Sequence, residues 1–439
     1  MLEPGLLTGA LAEFLPAQRW WGSKGRGLDE LIVYPVEVLK GDLPALLRVE
    51  ASAFGAENVD RYQILVGLRM AGDKESLRNI PDSAVIGDFQ TKFGVCTAYD
   101  ALLDPELSRA LYDLAAPANL APCKTIHPIG ADQSNTSLVC DESVVFKVFR
   151  KLSDGPNLEV ETIGGLRDVR FPHVAEVLGE WRHGGRHLGF FQKYLTDGVE
   201  GRSLAMTSLR DFYRSKGDPS MAGGDFSPEA ERLGAMTAEL HLALGRAFGK
   251  SDADPDAWAD SMLAQLGRVS HPDLNAAAAA AVFSELRRLG QAGSAVRVHG
   301  DFHLGQVLRT DAGWYVFDFE GEPARAIEER KIPTSPLKDV AGMLRSFQYA
   351  AWLASDYQTS QPKVLARAWV DRNRQAFLNG YVAVAHGAGG LLPSSTAAFE
   401  TVLRAFEIDK AVYEVGYEMA HRPELVKIPL AGLGDLLSL

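Results

Sequence analysis

Apolar residues along the 439-residue chain change their spacing twice, and each change marks a different kind of element. Up to about residue 90, a short helical pattern gives way to LIVYPVEVL, ALLRVEASAF and RYQILVGLRM (residues 31–39, 45–54 and 61–70). These runs are rich in branched side chains and separated by turn formers, which predicts the strands of a small β-rich module. From about 91 to 200 helix mixes with strand; SLVCDESVVFKVFR and HLGFFQKYL (137–150 and 187–195) alternate as half-buried antiparallel strands do and predict a second sheet. After Gly201 the period is mostly helical. Pro228–Phe248 and Ala276–Leu289 are the clearest helices, the second opening on six alanines, the best intrinsic helix formers. Ser215–Pro228 and Gly387–Ser395 read as loops too short to link independent domains, and no fixed-period repeat is present. The expected class is α+β, with parts at 1–90, 91–200 and 201–439.

Length and composition narrow the picture. At about 150 residues per domain the chain makes three folding units or two unequal lobes. Hydrophobic residues at 46% and charged residues at 23% exclude disorder, collagen-like repeats and a coiled-coil rod. A net charge of −12 argues against a nucleic-acid footprint, so an anionic substrate must be held by local cations. Cys96, Cys123 and Cys140 lack metal-ligand spacing, so neither a disulfide framework nor a zinc site is expected, and a reducing cytoplasm fits. No apolar run of about 18 residues and no basic-then-apolar N-terminus is present, so neither a membrane span nor secretion is expected.

The densest cluster of polar chemistry is HGDFHLGQVL (His299–Leu308), followed by WYVFDFEGE (Trp314–Glu322). Phosphoryl transfer needs a base or positioning group at the attacking hydroxyl, and oxygen ligands that hold magnesium on the phosphates. Asp301 is the candidate for the first role. Gln306 and Asp318, which closes the apolar strand WYVF, are candidates for the second, in the order of a kinase catalytic loop and metal strand. Gln stands where the protein-kinase pattern has Asn; its carbonyl also binds a hard cation, from a longer stem. A rival reading puts His299, Asp301 and His303 on one face of a strand as zinc ligands, but no HExxH or fourth ligand accompanies them. His299 is assigned to the catalytic group as the residue that orients the loop through a hydrogen bond. GRAFGKS (Gly245–Ser251) mimics a Walker motif with one residue too few and follows a helical pattern, so Gly249 is read as a helix terminator.

Upstream, GADQSNTSLV (Gly130–Val139) reads as a turn between strands whose Ser134, Asn135, Thr136 and Ser137 offer backbone N–H groups and hydroxyls to phosphate oxygens. Ten residues past Ser137, Lys147 interrupts the apolar strand VVFKVF. A lysine there is costly unless paired, with Glu159 or Glu161 and with nucleotide phosphates, or unless it faces water from an edge strand. FFQKYL (Phe190–Leu195), with Gln192 and Tyr194, stands in the position of an interlobe hinge whose backbone would read adenine. Near the C-terminus LRAFEIDKAVYEVGYEMAHRP is helical. Ile408, Val412, Val415 and Met419 form an inward stripe, while Lys410, Tyr413, Glu414 and Tyr417 form a second one. The second stripe suits sugar hydroxyls; periodicity alone favours a solvated helix face with two half-buried tyrosines.

QRWWGSKGR (Gln18–Arg26), GADQSNTS, VRVHGDFHLGQVLRT, FDFEGEPAR, SPLKDVAGMLRSFQYAA (Ser335–Ala351) and DKAVYEVGYE (Asp409–Glu418) together resemble the actinobacterial maltokinases, within the aminoglycoside-phosphotransferase-like and eukaryotic-like kinases. The resemblance spans nearly the whole chain. It implies a bilobal protein-kinase-like fold with an N-terminal β-rich cap and a mainly helical C-terminal lobe, transferring the γ-phosphate of ATP to O1 of maltose with Mg²⁺. The product, maltose 1-phosphate, feeds α-glucan synthesis, with a trehalose synthase as a possible partner. By position Asp301 resembles the catalytic base, Gln306 and Asp318 the magnesium ligands and Lys147 the phosphate lysine. Lys410, Tyr413, Glu414 and Tyr417 fall where the family contacts sugar. Related chains phosphorylate glucosamine and maltose-like pseudo-oligosaccharides, and a pseudokinase that only binds ligand is the non-enzyme alternative.

Overall fold

The computed structural model describes residues 2–22, 27–55, 58–129, 134–221, 224–322, 325, 327–354, 362–386 and 389–438. Gly130–Gln133 of the expected phosphate turn and residues 23–26 of the QRWWGSKGR segment therefore lie outside the described residues. The chain forms two compact units, Met1–Glu161 with Ala175–Thr196, and Thr162–Val174 with Asp197–Leu439.

In the first unit α1 (Pro4–Ala17) starts on a proline, whose missing N–H costs nothing at a helix start, and buries Leu7, Leu11 and Leu15 along one face. It is followed by β1 (Glu30–Val33), β2 (Glu37–Lys40), β3 (Ala45–Gly55), β4 (Asn58–Met70), α2 (Lys74–Leu77), β5 (Val85–Thr91), β6 (Gly94–Asp100) and α3 (Pro105–Ala115). Then come β7 (Ile126–Ile129), β8 (Thr136–Cys140), β9 (Val144–Val148), β10 (Lys151–Leu152), α4 (Leu158–Asp168), β11 (Val177–His183) and β12 (Arg186–Lys193). One antiparallel sheet runs β1-β3-β4-β6-β5, with β2 beside β3 and β10 beside β4; a second runs β11-β12-β9-β8-β7. The first sheet thus continues past residue 90, through β6.

The period of two in β3 and β4 serves two cores rather than a core and solvent. Leu47, Val49, Ala51, Tyr62, Ile64 and Val66 face α1 and Trp21. Leu46 and Leu65 point the other way, toward Tyr99, Leu107, Tyr112, Phe146 and Phe191. Gly67 is needed where this second core closes, because a Cβ there would lie 2.7 Å from Leu107 Cδ1 and 2.8 Å from the Tyr99 ring. The expectation of half-buried strands is corrected for β9, where every residue from Val144 to Val148 is buried. Phe146 stacks on Phe191 at 4.3 Å between centroids and meets Tyr112 edge-on at 6.2 Å.

The cysteine expectation is also corrected. Cys123 and Cys140 form a disulfide with Cα atoms 5.9 Å apart. A spacing of 17 residues carries no signature in sequence. Antiparallel pairing of β7 with β8 sets Ile126 opposite Cys140 and brings the two cysteines together at one end of the ladder. The inference of a reducing compartment from unpaired cysteines loses its basis.

The second unit carries β13 (Val199–Glu200), α5 (Gly201–Arg214), α6 (Ser227–Phe248), β14 (Lys250–Asp252), α7 (Pro255–Leu266), α8 (Ala276–Leu286) and β15 (Ser294–Val296). It continues with β16 (Val307–Thr310), β17 (Gly313–Val316), α9 (Ile327–Arg330), α10 (Leu337–Leu353), α11 (Pro362–Ala385), α12 (Thr396–His421) and α13 (Lys427–Leu437). Gly249, at φ +90°, ends α6, and Lys250 and Ser251 enter β14, so the apparent Walker motif is a helix terminus as expected. α12 buries Ile408, Val412 and Val415 as predicted, but Met419 is 41% exposed. In the last turn Glu418 faces inward instead, bonded to Tyr349 and Arg422. No helix among the described residues is long and apolar enough to cross a membrane.

Phe146→Ala removes the ring shared by Tyr112 and Phe191 and leaves a void in a close-packed core. It is expected to lower unfolding free energy by about 3–5 kcal/mol, read from urea denaturation.

Candidate active site

The segment between β15 and β16 carries His299, Asp301, His303 and Gln306, and it is held from behind by a buried carboxylate. Asp339, in the first turn of α10, accepts from the backbone N–H of His299 (2.7 Å) and of Gly300 (2.9 Å). His241 of α6 donates to the same carboxylate at 3.0 Å, and Tyr381 of α11 completes the chain by bonding His241 Nδ1 at 2.9 Å. Burial pushes the Asp339 carboxyl up, but the His241 hydrogen bond and the Gly300 N–H outweigh it, so the group is held below the usual range. Gly300 sits at φ +87°, the left-handed region that glycine enters without strain. One turn along α10, a Cβ on Gly342 would come within 2.5 Å of Phe302 O, so only glycine lets the helix lie this close to the loop.

Both ring nitrogens of His299 are engaged by backbone groups, one of this segment and one of the chain just past β17. Its Nε2 donates to Phe317 O at 2.9 Å and its Nδ1 accepts from Asp301 N at 3.3 Å. With both ring nitrogens engaged it cannot ligate zinc, which removes the rival reading of the alternating histidines.

Asp301 lies half-buried beside Lys410 of α12, whose ammonium donates to Asp301 Oδ1 at 3.0 Å and to Glu322 Oε1 at 3.1 Å. Glu322 also accepts from Arg325 at 2.7 Å and from Lys338 at 3.4 Å. Burial alone would raise the Glu322 carboxyl; the charges of Lys338, Lys410 and Arg325 hold it far below the carboxylate range. The same balance lowers Asp301, with burial opposed by Lys410 and then His303. Lys410, flanked by two carboxylates, stays charged despite its burial, well above the ordinary lysine value. His303 is driven the other way: burial pulls it down to about 4, so its ring is neutral near pH 7, 3.9 Å from Asp301 Oδ2. Asp409, next to Lys410 in sequence, is pushed up to about 6, chiefly by burial, and accepts from Gln265 at 2.7 Å.

Gln306 and Asp318 come together as the sequence predicts: Gln306 Nε2 donates to Asp318 Oδ2 at 3.0 Å. Phe317 N also bonds Gln306 O at 3.2 Å, tying the two segments at their backbones. Asp318 has φ +67°, a strained conformation for a residue with a side chain, of the kind that clusters at functional positions. The contact runs through the Gln306 amide nitrogen, so a hard cation at Asp318 would take the carboxamide only with its oxygen turned to the same side.

In the first unit Lys147 is buried and donates to Glu159 Oε2 at 2.7 Å, which resolves the choice of partner in favour of Glu159. Residues two apart on a helix point to nearly opposite sides, so Glu161 does not share that direction. Asn157 caps α4 through its side chain, accepting from Glu159 N at 2.9 Å and Val160 N at 3.3 Å. The expected phosphate hydroxyls have other work. Asn135 Oδ1 accepts from Arg150 N at 3.1 Å, Asn135 Nδ2 donates to Ser134 Oγ at 3.3 Å, and Thr136 Oγ1 accepts from Arg150 Nε at 2.9 Å. Ser137 is buried opposite Lys147 in the β8–β9 ladder. Around the expected hinge, Gln192 pairs with Val145, and the chain leaves this unit after Thr196. The N–H groups of Lys193 and Tyr194 are taken by Glu176 O and Ser143 O, each at 2.8 Å, so neither is open to an adenine.

On α12 three of the four polar residues stay together and Glu414 turns away. Lys410 and Tyr413 stand at Asp301, the ammonium 4.7 Å from the Tyr413 centroid. Glu414 instead binds the buried Arg345 through Oε2, at 3.0 and 2.6 Å. Tyr417, 42% exposed, stacks with Tyr413 at 6.3 Å and with His421 at 4.3 Å. Glu322, Asp339 and Arg345 carry much of the site without having been singled out, and His303 was weighed only as a zinc ligand. The available signal was a charged residue inside an apolar helical run, as Asp339 is in KDVAGML.

Residues 125–322 match the sequence model of the Phosphotransferase enzyme family, and residues 14–104 that of the Maltokinase N-terminal cap domain. The chain is 30% identical over 326 residues to a glucosamine kinase of Mycolicibacterium smegmatis, covering 71% of this chain and 79% of that one. A glucosamine kinase structure (crystal form A) superposes with a TM-score of 0.70 at 21% identity, covering 100% of this chain and 98% of that one. A glucosamine kinase in complex with glucosamine, ADP and inorganic phosphate superposes at 0.63 and 22% identity, covering 97% and 99%. These likenesses establish a kinase-like fold with a strand-rich N-terminal region and a helical C-terminal region, as expected.

His303 supplies a pH dependence. Its folded-state value, about 4, lies below the ordinary 6.5, so the folded chain binds fewer protons than the unfolded chain between those limits and loses stability as pH falls through them. Protonation would also cost Nδ1 the bond it accepts from Gly305 N at 3.0 Å. His303→Gln is expected to remove about 2 kcal/mol of the stability lost between pH 7 and 4, measured by denaturant titration at each pH.

Proposed function

The chain belongs to the phosphotransferase enzyme family and carries a maltokinase-type N-terminal cap, and we propose on that footing that it is an ATP-dependent maltokinase. It is an enzyme that transfers phosphate to a sugar hydroxyl. The reaction proposed here passes the γ-phosphate of ATP to O1 of maltose and gives maltose 1-phosphate for α-glucan synthesis. A trehalose synthase, as a source of maltose, fits the same proposal, and dependence on ATP implies action in the cytoplasm.

The observation that carries this reading is the contact of Asp301 with Lys410 at a half-exposed position, 3.0 Å apart. A sugar hydroxyl entering there donates to the Asp301 carboxylate and accepts from the Lys410 ammonium, which fixes both its proton and its lone pair. Because Asp301 is held ionised, it orients the hydroxyl and receives the proton late, as suits a loose phosphoryl-transfer transition state in which positioning and charge neutralisation dominate. Gln306 and Asp318 would hold Mg²⁺, which neutralises phosphate charge when bound. Lys147, oriented by Glu159, would hold nucleotide phosphates, and a relative with this fold in complex with ADP supports ATP as the phosphate donor.

Maltose is favoured by the cap and by the exposed Tyr417 beside Tyr413, whose ring edges and hydroxyls would meet a second glucosyl ring beyond the reacting one. Glucosamine is the second reading, supported by the name of the M. smegmatis relative. ADP release measured with maltose, glucosamine, glucose and an aminoglycoside decides between them; turnover with glucosamine and none with maltose would overturn the maltose assignment.

Asp301→Asn is expected to keep nucleotide affinity within about twofold while lowering kcat by at least about a hundredfold, read by calorimetry and by coupled ADP release. Tyr417→Ala is expected to raise sugar KM by about three- to tenfold and leave ATP KM nearly unchanged. Equal changes in both constants would remove Tyr417 from the acceptor site.

A further inference from the structure

We propose that Arg150 is a positioning residue through which the N-terminal cap sets nucleotide affinity, an inference that rests on Lys147 marking the nucleotide side of the first unit. Arg150 is 1% exposed and lies between β9 and β10. Its Nη2 binds Asp100 Oδ2 at 2.5 Å, its Nε binds Thr136 Oγ1 at 2.9 Å, and its backbone N binds Asn135 Oδ1 at 3.1 Å. The guanidinium stacks over the Trp20 ring at 4.9 Å. Its carbonyl accepts from Gln63 N at 2.7 Å, and the Gln63 amide bridges Phe149 O and Leu188 O at 3.0 and 3.1 Å.

These partners sort by origin. Trp20, Gln63 and Asp100 fall in the part of the chain that matches the cap, residues 14–104. Asn135, Thr136 and Arg150 fall in the part that matches the phosphotransferase family, residues 125–322. A single buried side chain therefore ties the two segments together. A buried guanidinium is strongly destabilising without a counter-charge, so the ion pair with Asp100 is needed to keep it in place. Its planar fork reaches two side chains at once, which a lysine ammonium on the same stem cannot reproduce.

The tie acts on the nucleotide side because of strand register. Thr136 is opposite Val148, and Ser137 is opposite Lys147. Holding Thr136 and Asn135 against Arg150 therefore fixes the β8–β9 ladder at the pair that bears Lys147, and with it the direction of the Lys147–Glu159 ion pair. Displacing the cap side of the tie loosens that ladder without touching Lys410, Tyr413 or Tyr417. Trp20, to which sequence alone assigns no chemistry, becomes the cap's contact on the guanidinium.

The test uses the full-length protein with Arg150→Lys, Trp20→Leu and Trp20→Phe, and ADP as the probe in titration calorimetry without sugar. Arg150→Lys and Trp20→Leu are expected to weaken ADP binding by about tenfold and raise ATP KM in step, with sugar KM within about twofold of wild type. Trp20→Phe keeps an aromatic face and is expected to bind ADP as wild type does, a rescue that a general loss of packing would not give. Trp20 is half-exposed, so its two variants carry the test even where Arg150→Lys fails to fold. Folded Trp20→Leu with wild-type ADP affinity, Trp20→Phe as weak as Trp20→Leu, or ATP and sugar KM rising together would overturn the inference. Wild-type protein that binds no ADP would instead overturn the nucleotide reading, and the inference with it.

Discussion

The segment of the second unit that carries Asp301 depends on one buried carboxylate. Asp339 accepts two consecutive backbone N–H groups, those of His299 and Gly300, and is held by His241 and, behind it, Tyr381. A loop cannot bury its own N–H groups without an acceptor, and consecutive free N–H groups converge only in a special backbone shape, here supplied by Gly300 in the left-handed region. Once these bonds form, Asp301 has one direction left to point. Helices α6, α10 and α11 each contribute one member of this buried chain, so the loop is as rigid as the helix packing behind it.

In front of the loop the problem is charge. Asp301 and Glu322 would repel if left alone, and Glu322 is nearly fully buried. Lys410 resolves both by donating to each, and Arg325 and Lys338 complete the neutralisation on the Glu322 side. The balance keeps Asp301 ionised and His303 neutral near pH 7. In the first unit the same physics acts twice, at Lys147 with Glu159 and at Arg150 with Asp100, where buried cations are tolerated because each has its own carboxylate.

Much of this was legible in order along the chain. A lysine inside VVFKVF demands a partner, and a carboxylate helix follows it. HGDFHLGQ followed by an apolar strand and an aspartate places Gln306 near Asp318, and they do meet. Other features needed the fold. Glu322 and Asp339 look like ordinary carboxylates until three dimensions bury them, and Glu414 shares a helical stripe with Lys410 yet turns to Arg345, an angle that 100° per residue is too coarse to settle. Asn135 and Thr136 read as phosphate ligands because small polar residues in a turn often are; only the fold shows that Arg150, 15 and 14 residues later, bonds an oxygen of each.

Sequence by itself determined where strands give way to helices, that Gln306 and Asp318 would come close, and that a lysine inside an apolar strand of the second sheet needs a partner or water. Those conclusions rest on periodicity, spacing and the cost of burying charge, all of which act locally. Tertiary structure alone decided that Glu159 rather than Glu161 receives Lys147, that Cys123 reaches Cys140, that β3 and β4 divide their alternate residues between two cores, and that Lys410 closes on Asp301 from 109 residues away. The reason is the same in each case: a charge, a thiol or a strand face takes the partner that packing brings within a few ångströms, and chain distance says nothing about which one that is.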